Sequence, residues 1–229
     1  MNNPIPKSKQ AVKSNQVISF ISSKGGSGKS TLLITLARRL ERDGARVAVI
    51  DTDKQQSAYS YFKSLDIENI DFVFVDEIGK ISTVISKLKE SGYDAILIDT
   101  VGTKEQMSTK IGRESDLVLI PCKEDIFSVK AAMLANKLVN YLNKVHSLQI
   151  QPYVVMMDVD DDTTLTAQMI QAMESQNIPR LPVVVKHLTG FKNILVNKNP
   201  DKSGPAFRNT ESLMYAFQSK GLIDFYKGE

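Results

Sequence analysis

Ten residues of this 229-residue chain constrain its fold more than any others: Ser22-Ser23-Lys24-Gly25-Gly26-Ser27-Gly28-Lys29-Ser30-Thr31. They follow Val17–Ile21, a short β-branched apolar run that reads as a strand. They lead into Ser30–Arg42, where Leu32, Leu33, Leu36, Ala37 and Leu40 recur at helical spacing. A glycine-rich turn between strand and helix closes backbone N–H groups around phosphate oxygens, and the helix N-terminus adds its dipole. The phosphate-loop pattern G-x-x-x-x-G-K-[ST] is met in its second half by Gly28-Lys29-Ser30, with Ser23 where the first glycine would stand. Gly25, Gly26, Ser27 and Gly28 form the cradle. Lys29 is expected to reach the β- and γ-phosphates, Ser30 to ligate Mg²⁺, and Thr31 to meet the α-phosphate. Lys24 is one lysine more than such a loop needs.

Strand and helix patterns alternate along the rest of the chain. Strands are expected at Arg46–Ile50, Asp71–Val75, Tyr93–Ile98, Leu117–Pro121, Pro152–Met157 and Leu181–Lys186. Helices are expected over Gln56–Ser64, through Ile78, Ile81, Val84, Ile85 and Leu88, over Ile126–Val145 and Thr163–Ser175, and in the tail, broken at Pro200 and Gly204-Pro205. Most strand patterns are continuous apolar runs, which means burial on both faces. That predicts an α/β fold of three layers, α/β/α, with a mostly parallel central sheet of the P-loop NTPase type. Ligands bind such sheets at the carboxyl ends of the strands.

The acids fall at those ends. Asp99 closes Ala95-Ile96-Leu97-Ile98, where a carboxylate holds Mg²⁺ through water, and Thr100-Val101-Gly102 follows as a loop suited to sensing the γ-phosphate. Asp51 and Asp53 flank Thr52, so in an extended segment both carboxylates point the same way. Asp53 is expected to position the attacking water, with Asp51 nearer the metal.

Lys24–Thr31, Asp51–Ala58 and Tyr93–Gly102 together resemble the ParA/MinD family of deviant Walker ATPases, most of all the short ParA proteins that partition plasmids. The family signature K-G-G-x-G-K-[ST] stands here as Lys24 to Ser30. The second motif D-x-D-P-Q-x-S stands as Asp51-Thr52-Asp53-Lys54-Gln55-Gln56-Ser57, with lysine for proline, and Ser115–Cys122 is similar to a third segment. The resemblance covers residues 17–145 well and the last third loosely. It implies ATP and Mg²⁺ bound at the interface of a face-to-face homodimer, with Lys24 reaching the partner's nucleotide while Lys29 and Ser30 serve their own. It further implies non-specific DNA binding by the ATP-bound dimer, and slow hydrolysis stimulated by a centromere-binding, ParB-like protein. Lys54 leaves the water-positioning loop less rigid. Asp158 stands near where the family contacts adenine with other residue types, so base contacts do not carry over.

Composition limits the alternatives. A formal charge of +3 is too small to argue nucleic-acid binding by itself; only its distribution does so. Beyond Arg180 the cations gather, and Lys186, Lys192, Lys198, Lys202 and Arg208 are the candidate DNA contacts, with His187 read as a polar strand-end residue. Cys122 is the one cysteine, which fits a buried thiol and a reducing cytosol rather than a disulfide framework or metal cluster. Residues 1–16 lack the apolar core of a secretory signal and read as a disordered polar arm, leaving 17–229 as a single ATPase domain. No apolar run approaches the roughly 18 residues of a membrane span, so the protein is expected in the cytoplasm, nucleoid-associated when ATP-bound, without stable membrane association. A MinD-like membrane positioning ATPase is the alternative, but glycine and acids interrupt its terminal amphipathic helix here. A dethiobiotin-synthase-like ligase or a tyrosine kinase on the same fold are further alternatives.

Overall fold

The computed structural model describes residues 15–53, 57–65, 67, 69–100, 105–160, 163–188, 191 and 203–223. Seven strands make one sheet in the order β3-β2-β4-β1-β5-β6-β7, and every neighbouring pair is parallel. They are β1 (Gln16–Phe20), β2 (Val47–Asp51), β3 (Ile70–Phe74), β4 (Ala95–Asp99), β5 (Leu117–Lys123), β6 (Gln151–Val159) and β7 (Arg180–Lys186). The mostly parallel sheet expected from the continuous apolar runs is thus wholly parallel. β1 begins at Gln16, whose side-chain amide donates to the Leu222 carbonyl at 2.6 Å, so that residue belongs to the fold and not to the arm expected over 1–16. The arm's first fourteen residues lie outside those described.

Helices cover both faces, as the unbroken apolar runs require. On one side lie α1 (Lys29–Arg42), α2 (Ser57–Leu65) and α7 (Pro205–Ser219), and alternate strand residues such as Ile18, Phe20, Val47, Val49 and Leu97 meet Leu33, Leu36, Phe62 and Phe217. The other side holds α3 (Ile81–Glu90), α4 (Glu105–Glu114), α5 (Ile126–His146) and α6 (Thr164–Ser175). There Val118, Ile120 and Met156 pack on α5 and α6, while Val17, Ile50 and Ile96 pack on α3 and α4. The open edge of β7 is closed by Asn209 of α7, which accepts from the Lys186 N–H and donates to the Val184 carbonyl.

Helix α4 was not readable from the sequence. Its ten residues carry Met107 and Ile111 as the apolar pair turned into the core, both fully buried, and Gly112, where a Cβ would lie 2.9 Å from Leu142 of α5. A tertiary approach, rather than a long apolar periodicity, holds this helix in place.

Candidate functional site

Two glycines shape the loop between β1 and α1. Gly26 has φ +69° and Gly28, which precedes the first turn of α1, has φ +99°, a region that side chains rarely occupy. Gly28 also abuts the end of β6: a Cβ there would lie 3.3 Å from three side-chain atoms of Met157. The loop therefore closes against the sheet at the centre of its carboxyl edge, with β4 on one side of β1 and β5 on the other.

Strand register delivers the acids. Asp51 and Asp99 are direct neighbours on β2 and β4, and Asp99 is level with Phe20, the last residue of β1. The Ser30 hydroxyl donates to Asp99 Oδ2 at 2.7 Å. Thr52 donates its hydroxyl and its N–H to the Asp99 carbonyl, and Thr100 donates to the Phe20 carbonyl at 2.6 Å, which pins the three strand ends together. Asp51 is fully buried and accepts from the Asp53 N–H at 2.9 Å, which fixes the turn carrying the half-buried Asp53.

The electrostatics are those of a site built for a cation and an anion together. Burial raises the Asp99 carboxyl to about 6, the Ser30 hydrogen bond and Lys29 oppose the rise, and Asp51 and Asp53 add to it. Its second oxygen, Oδ1, is buried without a hydrogen-bond partner among the described residues. Burial lowers the Lys29 ammonium, and Asp99 and Asp53 pull it back; its Nζ lies 3.4 Å from the Ser22 carbonyl. An orphaned carboxylate oxygen beside a serine hydroxyl fits the oxygen-only donor set of Mg²⁺. Among the described residues no cluster of three or more His, Cys, Asp or Glu is arranged to hold a metal. A cation here fits best with ligands shared among the protein, water and phosphate oxygens, as Mg²⁺ prefers.

Lys24 takes no part in that cradle. Its Nζ lies 2.7 Å from both carboxylate oxygens of Asp125 and 3.0 Å from the Ser128 hydroxyl. Asp125 caps α5, accepting from the Phe127 and Ser128 N–H groups. Burial would raise its carboxyl, but the bonds from Lys24 and Ser128 outweigh that and hold it well below the usual carboxylate range. Sequence reading missed both partners, which lie 101 and 104 residues from Lys24 and meet it only because β5 pairs with β1.

On the opposite flank from β4, Asp158 leaves β6 with φ +59° and accepts from Lys123 at 3.0 Å and pairs with His187 Nδ1. The Lys123 bond foremost, with His187 behind it, lowers the Asp158 carboxyl against a smaller opposing effect of burial. Cys122 is buried and its thiol is pushed up to about 12 by burial, so it is no nucleophile. Of the candidate DNA contacts, Lys186 and Arg208 are exposed, and Arg208 donates to the Ser203 carbonyl at 2.6 Å. Lys192, Lys198 and Lys202 lie outside the described residues, as do Val101 and Gly102 of the γ-phosphate loop.

The family model for the CobQ/CobB/MinD/ParA nucleotide binding domain matches residues 18–199. The chain belongs to that family. It is 26% identical over 172 residues to protein VirC1 of Rhizobium radiobacter, spanning 73% of this chain and 74% of that one. A crystal structure of a plasmid partition protein from Borrelia burgdorferi bound to AMPPNP is similar with a TM-score of 0.69 at 21% identity, covering 90% of this chain and 99% of that one. Cyanothece McdA in complex with ATP is similar with a TM-score of 0.74 at 15% identity, covering 91% of this chain and 98% of that one. At these identities the two structures speak for the fold alone, an α/β domain. Among the described residues no helix is long and apolar enough to cross a membrane.

Proposed function

We propose that this protein is an ATPase switch that dimerises around ATP, binds DNA without sequence preference in that state, and drives partition of a DNA molecule. Residues 17–229 act as one ATPase domain in the cytoplasm, nucleoid-associated when ATP-bound. The observation that carries the reading is the division of labour between the two loop lysines. Lys29 faces the Ser30–Asp99 pair, whereas Lys24 sits half-exposed on the rim, bonded away from the cradle. A lysine on the rim can neutralise the phosphates of a facing subunit's nucleotide, charge that would otherwise hold two subunits apart. The ATP and AMPPNP bound to the Cyanothece and Borrelia proteins support ATP as the nucleotide.

In this reading the N–H groups of Gly25 to Thr31 and the start of α1 hold the phosphates, and Ser30 and Asp99 would hold Mg²⁺, with Asp51 adding negative charge. A bound Mg²⁺ would supply charge neutralisation at the phosphates. Asp53, at the mouth of the site, orients the attacking water; hydrolysis is slow, and a centromere-binding ParB-like protein accelerates it. Lys186 and Arg208 contribute to the DNA face together with Lys192, Lys198 and Lys202. Co-sedimentation with non-specific duplex DNA in ATP, in ADP and without nucleotide tests the switch. Binding in ATP alone supports it, and equal binding in all three states refutes it.

A further inference from the structure

Helix α5 buries one face and leaves a second apolar face uncovered. Its inner side enters the core through Val129, Ala132, Val139 and Leu142. The outer side of such a helix is ordinarily polar. Here Phe127 is 70% exposed, Leu134 61% and Tyr141 60%, and Ile126 and Val145 are exposed at its two ends. Five of the seven large apolar side chains left exposed among the described residues therefore lie on this one helix, which singly scattered surface residues do not explain.

The spacing gives the surface a direction. Phe127, Leu134 and Tyr141 recur every seven residues, and so do Lys130, Lys137 and Lys144, each three residues further on and each exposed. A seven-residue repeat drifts about 20° per heptad on a straight helix, so over this length both rows stay on one side. The 21 residues of α5 include no Asp or Glu. None of the three lysines forms an ion pair among the described residues.

We propose that this ridge docks an acidic amphipathic helix of a partner protein, its apolar seam on Phe127, Leu134 and Tyr141 and its carboxylates on the lysine row. Heptad-spaced anchors flanked by one sign of charge are how one helix reads another. A second copy of this chain fits badly, because α5 holds no Asp or Glu, so two such ridges facing each other bring two lysine rows to one seam with no carboxylate between them. The polar arm 1–14 fits badly too, since it carries Lys7, Lys9 and Lys13 and no acid. DNA offers nothing to the apolar row. A helix that lies in a lipid surface presents a broad apolar face to it, whereas the broad face of α5 is already in the core and only a narrow row is exposed. The Phe127 end of the ridge adjoins the Lys24–Asp125 pair of the proposed function. Leu134 and Lys137, about two turns or more further along α5, do not touch that pair, so the variants at these two positions separate the two readings.

The test is fluorescence anisotropy of the full chain with a labelled three-heptad peptide carrying leucine at the core positions and glutamate at the flanking ones, against the same peptide with lysine for glutamate. The glutamate peptide is expected to bind at least about tenfold more tightly than the lysine peptide, and to weaken with salt. Leu134→Ser and Lys137→Glu are each expected to weaken it about fivefold or more, with thermal melting and ATP affinity unchanged. Lys137→Glu alters only an exposed side chain, so it keeps the test valid if Leu134→Ser misfolds. Four results would overturn the proposal. One is no preference for the glutamate peptide, and another is binding that ignores both variants. The third is self-association of the nucleotide-free chain abolished by Leu134→Ser, and the fourth is capture by phosphatidylserine vesicles in place of the peptide.

Discussion

Replacing Asp99 by asparagine should stabilise the nucleotide-free protein far more at neutral pH than at acid pH. The Asp99 carboxyl moves from an ordinary value of 3.8 to about 6 because it is 3% exposed and lies beside Asp51. At 1.36 kcal/mol per pH unit, that difference is worth about 3 kcal/mol at most. The folded value lies above the unfolded one, so the folded chain holds the proton more tightly. Well below pH about 4 both states are protonated and Asp99 costs the fold nothing as a charge. Between pH about 4 and 6 the unfolded chain ionises first, and stability falls as pH rises. Above pH about 6 the full penalty of a buried carboxylate is present. Asparagine carries no charge at any of these pH values, and its amide oxygen still accepts from Ser30. Urea denaturation at pH 4.5 and 7.5, without nucleotide or Mg²⁺, should show the variant more stable by up to about 3 kcal/mol at pH 7.5 and by only about 1 kcal/mol at pH 4.5. The same variant should bind Mg²⁺·ATP more weakly, a stability gained where function is lost. A stability gap that is the same at both pH values, or that favours wild type at pH 7.5, refutes the reasoning.

The Lys24–Asp125 pair makes a second case. Asp125→Asn keeps an acceptor for the α5 cap but removes the ion pair, whose side chains are each 36% exposed, so stability should change by less than about 1 kcal/mol. Asp125→Ala also removes the cap and should cost about 1 kcal/mol more in thermal melts. Freed from Asp125, Lys24 should drive ATP-dependent dimerisation at up to about fivefold lower protein concentration in the Asn variant; a weaker dimer contradicts the cross-subunit role. Gly28→Ala places a side chain at φ +99° and 3.3 Å from Met157, and strain of about 1–3 kcal/mol in the loop should lower affinity for a fluorescent ATP analogue about tenfold. Unchanged affinity would mean that the loop's conformation is not what binds the phosphates.

The parts of this architecture that were legible in the sequence are those that a local stretch encodes. Val47–Ile50 and Ala95–Ile98 are apolar at every position, and Val17–Phe20 at all but Ser19, because both faces are buried, and that implies a parallel sheet between helix layers. The loop and its three aspartates were legible because each lies at a strand end: the loop after β1, Asp51 and Asp53 at and just past the end of β2, and Asp99 at the end of β4. What the sequence hid depends on neighbours far along the chain. Helix α4 rests on Met107, Ile111 and the bare Gly112 surface meeting Leu142, and no helical pattern of length announces it. Asp125 and Ser128 face Lys24 only through strand order. The α5 ridge reads in sequence as ordinary helix apolarity, because spacing cannot say which of two apolar faces the sheet will cover.

Sedimentation velocity of wild type and Lys24→Ala, each with Mg²⁺ and either ATP or ADP, tests most directly the claim that the extra lysine makes the nucleotide a dimer switch. Wild type is predicted to move from monomer to dimer in ATP and stay monomeric in ADP, while Lys24→Ala binds ATP and remains monomeric in both. A Lys24→Ala variant that dimerises with ATP as wild type does would contradict the account.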